Sequence, residues 1–525
     1  MGKRVWSAGV LAAVVAAAIV IILDAFGPAY SGRAQAARAH SDGEGRVKTL
    51  APRPPAGTPI LRVGGPLAVR PVAAGFVGLS MEYSALTAYA GHDPDSIDPV
   101  FMQLVRNLAL GQRPVLRIGG DSTDHAWVPI TGMAKPPGVH FDITPGWLAV
   151  AGGLVRGLDA RMIAGIDLEA DSPRLAGVEA NAILAAVGRP SLEAFELGNE
   201  PELYGSFGWY EHDGRPVPGR PPGWDVSSYL RGLPQIVGAL PRAIRLAAPA
   251  TGAANWMAAL GQIAHAEPRV AVATVHRYPL HRCYTAAGSS EYPTIPHLLA
   301  NASSTGLADS IIGFARTAHQ RGLSVRVDEF NSVSCSGKRG VSDTFASALW
   351  ALDGAFAMAR AGADGINVHT FPGGIYQLFR FGHRDGTWEA SVRPEYYGLM
   401  MFAQAAPARA RLLRVAGSAG SQIRTWATRA PGGVTHVVLI NKYLHRSRWV
   451  AVRIPGGSRP AALEWLRAPR ISSKGGVTLD GRGFGGQTTT GVLPTASVHY
   501  QVAPVTGRYA IRLPAGSAAM LTLPA

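Results

Sequence analysis

The chain is expected to fold as an α/β protein, a (β/α)8 TIM barrel with a C-terminal antiparallel β-sandwich. Three observations carry that expectation. Between residues 75 and 372, eight short apolar runs alternate with segments whose apolar residues recur at helical spacing. Each run ends in polar or glycine residues, as barrel strands do where they carry chemistry. A doubly wound sheet, the competing architecture, would not put polar residues at the ends of all eight. After about residue 409 the pattern changes to period-two strands separated by Gly/Pro turns. The length of 525 residues suits a barrel of roughly 250 to 350 residues plus an accessory domain.

Taken in order, the chain opens with Lys3 and Arg4 ahead of an apolar stretch of 19 residues from Val5 to Leu23. Ala34-Gln35-Ala36 resembles a small-residue cleavage site, so residues 1–36 read as a signal peptide or a membrane anchor. Export follows from either. Residues 37–57 are polar and Pro/Gly-rich and read as a flexible linker. TPILRVGGPLAVRPV (58–72) is strand-like; the segment 58–74 is expected to join the sandwich, because a barrel has no free edge to accept it. The barrel is expected over 75–405. Its strands are GFVGLSMEY (75–83), PVLRIGGDS (114–122), RMIAGIDL (161–168), EAFELGNEP (193–201), IRLAAPAT (244–251), VAVATVHRYP (270–279), LSVRVDEFN (323–331) and ADGINVHTF (363–371). Helical spacing is clearest in DPVFMQLVRNLA (98–109), GWLAVAGGLVRGL (146–158), VSSYLRGLPQIVGAL (226–240) and SDTFASALWALDGAFAMARA (342–361). The sandwich is expected over 406–525.

Hydrophobic residues make up 47% of the chain and charged residues 16%, which permits a large core and excludes global disorder. The net charge of +15 would suit an acidic partner. The arginines are scattered, however, and no long basic run is present, so no nucleic-acid partner is expected.

A barrel places its chemistry at the C-terminal ends of its strands. Read in order, those ends carry Glu82, Asp121, Asn199 with Glu200, His276 with Tyr278, Glu329, and His369. Glu200 stands in a turn closed by Pro201 at the end of strand four, and Glu329 ends strand seven. Two carboxylates so placed are what a retaining glycoside hydrolase requires, one as acid/base and one as nucleophile. Tyr278 is positioned to donate to the strand-seven carboxylate. Glu82 and Asp121 read as sugar-binding or loop-ordering carboxylates, and His369 as a ligand contact or a hydrogen-bonded strand-end histidine. His276 and His281 lack a third metal ligand at useful spacing, so no metal and no cofactor are expected. The glycine pair of RIGGDS (117–122) does not match a dinucleotide fingerprint and suits close approach of backbone to ligand.

The set RIGGDSTDHAW, FELGNEPELY, VHRYPLHRCY, VDEFNSVSCSGKRGVSDTFASALWALD and VRPEYYGLMMFAQA resembles glycoside hydrolase family 79, the β-glucuronidase and heparanase-like family. The resemblance covers roughly residues 60 to 525. It implies Glu200 as acid/base, Glu329 as nucleophile, Asn199 near the sugar 2-hydroxyl, and Glu82 and Asp121 near other hydroxyls. It also implies that a glucuronate carboxylate is met by the segment Ser334 to Lys338 and by Tyr376. Ser334 and Ser336 supply hydroxyls, Gly337 lets the backbone approach, Lys338 adds charge and Tyr376 a phenol. Some members carry a tyrosine five positions after the nucleophile, where this chain has Ser334. The competing reading turns Lys338 to solvent and uses the serines to cap the helix starting near Ser342. Cys283 follows strand six and Cys335 strand seven. Neighbouring loops in an exported protein favour a disulfide between them over two free thiols.

The expected activity is exo-acting β-glucuronidase chemistry on a glucuronic-acid-containing oligosaccharide, polysaccharide or glycoside. A retaining hydrolase for neutral glycosides and a catalytically silent carbohydrate-binding surface protein are the alternatives.

Overall fold

The computed structural model describes residues 46–525. The expected targeting segment at 1–36 and the start of the linker at 37–45 lie outside the described residues. Among the described residues, no helix is long and apolar enough to cross a membrane.

Eight parallel strands close into a barrel in chain order: Val77–Glu82, Val115–Gly119, Arg161–Ile166, Leu192–Leu197, Leu246–Thr251, Val270–Arg277, Ser324–Phe330 and Gly365–His369. They are called strands one to eight below. Every second residue of a strand faces inward. At the floor of the barrel Val115, Ile163, Ala194, Ala247 and Val272 pack together, one from each of strands two to six. Two residues further up the same inward faces stand Arg117 and Glu196, both fully buried. The interior therefore turns from apolar to charged toward the C-terminal ends. Buried charges require partners, and the Arg117 Nε–H donates to Glu196 Oε2 at 2.6 Å.

The helices start where their caps dictate. Asp98 accepts from the N–H groups of Val100 and Phe101 at the head of Pro99–Ala109, and Thr144 and Asp225 do the same for Pro145–Leu158 and Val226–Ala239. Phe345–Ala361 is buried along almost its whole length. Its Trp350 stacks on Phe330 of strand seven at 4.7 Å, and its Phe356 stacks on Trp426 of the sandwich at 5.5 Å. This helix is the layer between the two domains. It does not start at a serine cap: Thr344 precedes it without a side-chain bond, and Ser342 Oγ instead accepts from the Lys338 N–H at 3.0 Å.

The C-terminal domain is an eleven-stranded sheet folded on itself. Period-two alternation divides its strand Thr435–Asn441 between two cores. Val437 and Leu439 pack inside the sandwich, while Val438 and Ile440 pack toward the barrel. The sheet is mixed rather than purely antiparallel. Ile60–Pro66 runs parallel to Arg448–Arg453, and Arg46–Leu50 runs parallel to Val498–Val502. Both exceptions are N-terminal segments that enter from outside the hairpins, so no tight turn forces them antiparallel. Arg46–Leu50 lies where the sequence reads as linker. Its five residues are mostly exposed and sit between HSDGEG and APRPP, so no apolar alternation marks them.

Candidate active site

Strand four ends at Leu197, and the next residues turn sharply. Gly198 has φ 78° and Glu200 φ 45°. A left-handed conformation in a glutamate costs about 1 to 2 kcal/mol. Neighbouring groups hold it: the Glu200 N–H donates to the Ala250 carbonyl at 2.9 Å, and the Asn199 N–H to Asp124 Oδ2 at 3.0 Å. A Cβ at position 198 would collide with the Tyr204 hydroxyl, so the turn requires glycine. The result points the Glu200 carboxyl across the barrel mouth.

Glu329, at the end of strand seven, faces it. Tyr278 donates its hydroxyl to Glu329 Oε2 at 3.0 Å, and Arg117 donates to Oε1 at 3.1 Å. His369 Nδ1 lies 3.4 Å from Oε1 and His276 Nδ1 3.6 Å from Oε2. Burial alone would raise this carboxyl, but His369, His276, Arg117 and the Tyr278 hydrogen bond outweigh it and hold it at about 2. Glu329 is therefore ionised at neutral pH.

His276 bridges the pair, with Nδ1 2.9 Å from Glu200 Oε1. Burial lowers its basicity, while Glu329, Asp328 and Glu200 raise it, to a net pKa of about 10. The donor atoms of Glu200, His276 and Glu329 all lie within 4.8 Å of one another. That spacing puts an oxygen of each glutamate within the same limit, and it is the one group among the described residues spaced to hold a metal ion.

On the side of strands one and two, Glu82 Oε2 accepts from the Ser122 N–H at 2.9 Å, and Glu82 Oε1 lies 3.2 Å from His369 Nε2. Asn199 Oδ1 accepts from Arg117 at 2.8 Å. Asp121 keeps an open surface toward the cleft, yet its carboxyl is packed closely enough for desolvation to act. That effect, joined by the charges of Glu82, Glu200 and Glu329, pushes it up to about 8.

Cys283 and Cys335 form a disulfide, with Cα atoms 6.2 Å apart. Beyond it Cys335, Ser336 and Gly337 are all left-handed, with φ of 59°, 66° and 87°. The Ile375 N–H donates to the Ser336 carbonyl at 2.7 Å and ties this turn to the loop of Tyr376. Tyr376 is buried and stacks on Tyr278 at 6.2 Å. Two expected members of the uronate cluster are engaged elsewhere. Ser334 Oγ lies 3.0 Å from His281 Nδ1, and the Lys338 ammonium sits 5.5 Å from the Tyr292 ring centre. The Tyr292 ring comes from the loop after strand six, and sequence spacing around Glu329 does not reveal that face.

Two residues hold central places that sequence pattern does not spell out. Arg117 contacts Glu196, Ser80, Glu329 and Asn199 at once. The signal was an arginine inside the apolar run PVLRIGG, because an arginine in a buried strand needs carboxylate partners. His276 joins the two glutamates, and these partners at useful distance come from strands four and seven rather than from spacing near His276 in the chain.

No protein-family model matches the chain, and no curated protein matches it. Solved structures do. A 4-O-α-L-rhamnosyl-β-D-glucuronidase from Fusarium oxysporum is 18% identical, with a TM-score of 0.68 over 88% of this chain and 100% of that one. A GH51 arabinofuranosidase from Xanthomonas axonopodis pv. citri is 15% identical, with a TM-score of 0.62 over 89% and 100%. A GH30 endoxylanase from Clostridium papyrosolvens is 13% identical, with a TM-score of 0.51 over 89% and 100%. At these identities the likeness establishes the fold: a closed eight-stranded parallel barrel carrying a β-sheet domain, as in these glycoside hydrolases.

Proposed function

We propose that this chain is a retaining glycoside hydrolase of the family 79 type that cleaves β-D-glucuronides. The observation that carries the reading is the Glu200–Glu329 pair, with one oxygen of each within 4.8 Å of the other and Glu329 held ionised. Retaining enzymes keep their carboxyls about 5 to 5.5 Å apart, whereas inverting enzymes leave about 6.5 to 9.5 Å for a water. In the proposed sequence Glu329 attacks the anomeric carbon while Glu200 gives its proton to the departing oxygen. Glu200 then takes a proton from water as that water displaces Glu329. Asn199, Glu82 and Asp121 hold ring hydroxyls.

The glucuronide preference rests on the family resemblance, on the Fusarium neighbour and on donors at the mouth. With Lys338 and Ser334 engaged elsewhere and the Tyr278 proton given to Glu329, Tyr376 and the left-handed turn 335–337 are the groups we assign to the carboxylate. A carboxylate leaving water needs several such donors. The disulfide fits our placement of the enzyme outside the cytoplasm. A panel of nitrophenyl glycosides tests the reading. Glucuronide should be cleaved at least about 100-fold better than glucoside, the value of one charge-assisted contact set of about 3 kcal/mol. Equal rates would favour a neutral-sugar hydrolase. No cleavage of any member would favour a binding protein.

A further inference from the structure

The charge of the chain divides sharply between its two domains. Residues 46–74 and 406–525, the sandwich and the segments that enter it, hold 21 Lys and Arg against 2 Asp and Glu. Residues 75–405, the barrel, hold 25 against 30. Arginines that are scattered along the sequence are thus gathered in one domain. Some of them share one face. The strands Arg411–Ala416, Ile60–Pro66, Arg448–Arg453 and Tyr509–Leu513 lie side by side in that order and contain no Asp or Glu. They form the layer opposite the one whose Val438 and Ile440 pack toward the barrel.

Alternation decides which side chains leave this layer. Leu61, Leu413, Val452 and Ile511 fill the sandwich core, so the next residues, Arg62, Arg414, Arg453 and Arg512, point outward, and all four are exposed. Arg62 and Arg453 are direct register partners on adjacent strands, and Arg512 is the register partner of half-buried Trp449. Arg414 stands against Gly64, two residues along from Arg62. The ion pairs of the sandwich's Lys and Arg use Arg70, Arg424, Lys442, Lys474 and Arg482, and none of these four arginines among the described residues. Of the domain's two acids, Asp480 faces Arg482 and His499, and Glu464 lies on Ala461–Arg467 in the other layer. Like charges placed opposite each other cost a sheet stability, which a bound anion would return.

We propose that this outer face of the sandwich docks an acidic polysaccharide, a chain bearing uronate carboxylates, and holds the enzyme on it. The docking does not depend on which glycone the barrel cleaves. A guanidinium meets a carboxylate through two parallel hydrogen bonds, a contact lysine cannot make. Neighbouring strands lie about 4.8 Å apart, so the four strands present a face about 14 Å across, and one polymer can reach several arginines at once. The Trp449 ring adds an apolar surface for a sugar ring. The barrel's excess of acids repels such a polymer, and the basic domain offsets that repulsion. A single-stranded nucleic acid fits less well, because successive bases stack on successive aromatic rings and these strands turn only Trp449 outward. A bilayer also fits less well, because interfacial binding adds apolar side chains beside the charges. Here the residues between the arginines are mainly small: Gly64, Ala416, Ala451 and Ala510.

The test measures binding of the full chain to polygalacturonate by affinity electrophoresis at about 50 mM salt, where screening is modest. Dextran, an oligodeoxythymidine and phosphatidylserine–phosphatidylcholine vesicles serve as competing probes. The wild-type protein should bind polygalacturonate more tightly than any of the three. With Arg62→Gln, Arg414→Gln, Arg453→Gln and Arg512→Gln combined, binding should weaken about 30-fold, as expected for loss of four exposed charge contacts. The far-UV circular dichroism spectrum and any nitrophenyl glycoside turnover should match those of the wild-type protein. If the quadruple variant does not fold, Arg62→Gln with Arg453→Gln is read instead and should weaken binding about fivefold. A control changes four exposed barrel arginines, Arg174, Arg189, Arg215 and Arg231, to Gln; it removes the same charge and should keep wild-type binding. Equal weakening in the control would assign the effect to net charge and overturn the proposal. Tighter binding to the oligonucleotide or the vesicles, or no preference over dextran, would overturn it as well. Binding is read without turnover, so failure of the glucuronidase reading leaves this outcome distinguishable.

Discussion

Two of the places where the molecule buries charged side chains are built in opposite ways. Between barrel and sandwich, Asp353 is fully enclosed and fully partnered. Lys442 Nζ lies 2.5 Å from Oδ2, Ser304 donates to Oδ2 at 2.6 Å, and Trp426 donates to Oδ1 at 2.7 Å. Burial would raise the Asp353 carboxyl, but Lys442 and Arg424 hold it below its usual range. At the barrel mouth, Glu82, Asp121, Glu200 and Glu329 share Arg117, His276 and His369. These cations concentrate on Glu329, and Asp121 is left facing three other carboxylates. The first cluster has nothing left to bind and holds two domains together. The second retains unbalanced charge at a solvent-open cleft, the condition under which protons and ligands are exchanged.

Changes at the mouth should therefore break chemistry, while changes at the domain contact should break stability. Glu329→Ala should lower turnover by at least about 10⁴-fold, as removal of a nucleophile does, with a folded far-UV circular dichroism spectrum. Glu200→Ala should cost about 10² to 10⁴ on glycosides with poor leaving groups and far less on nitrophenyl glycosides, which need little protonation. The kcat/KM of the two substrate types measures the difference. Asp353→Ala should instead destabilise the chain by about 3 to 5 kcal/mol, because it strands buried Lys442. Denaturant melts read that loss, and KM of the folded enzyme should stay at the wild-type value.

Much of this contrast can be traced to sequence. Seven of the eight barrel strands lie inside the apolar runs and strand four starts one residue ahead of its run, and Asn-Glu-Pro and VDEF put Glu200 and Glu329 at strand ends, because local pattern marks where a strand stops. Partnership between distant side chains is not local. Arg117 meets Glu196 and Glu329 from strands four and seven, and Lys442 meets Asp353 across two domains. Nothing in RIGG or INKY names those partners. Lys338 shows the reverse case. Its spacing after Glu329 suggests the site, but the Tyr292 ring beside it claims the ammonium. Arg46–Leu50 carries no strand signal because it is short, exposed and bounded by helix- and strand-breaking residues.

The smallest expected effect concerns Asp121, because its open surface toward the cleft lets solvent screen the repulsion. Its carboxyl is raised in the folded state to about 8, above the ordinary value of about 3.9 in an unfolded chain. A raised carboxyl favours the protonated native state, so stability is full below about pH 4 and is lost as pH rises through about 8. Asp121→Asn removes that dependence. Thermal melts should show the variant gaining on the wild-type protein as pH rises from 4 to 9, and matching it near pH 3. A constant difference across that range would mean that Asp121 is not under the repulsion described.

The account's central claim is that Glu200 and Glu329 act as a retaining pair. Proton NMR during cleavage of nitrophenyl β-D-glucuronide tests it most directly. The first sugar to form should be the β-anomer, with the α-anomer growing in only by mutarotation. The α-anomer appearing first would contradict the claim, since it requires a single displacement by water.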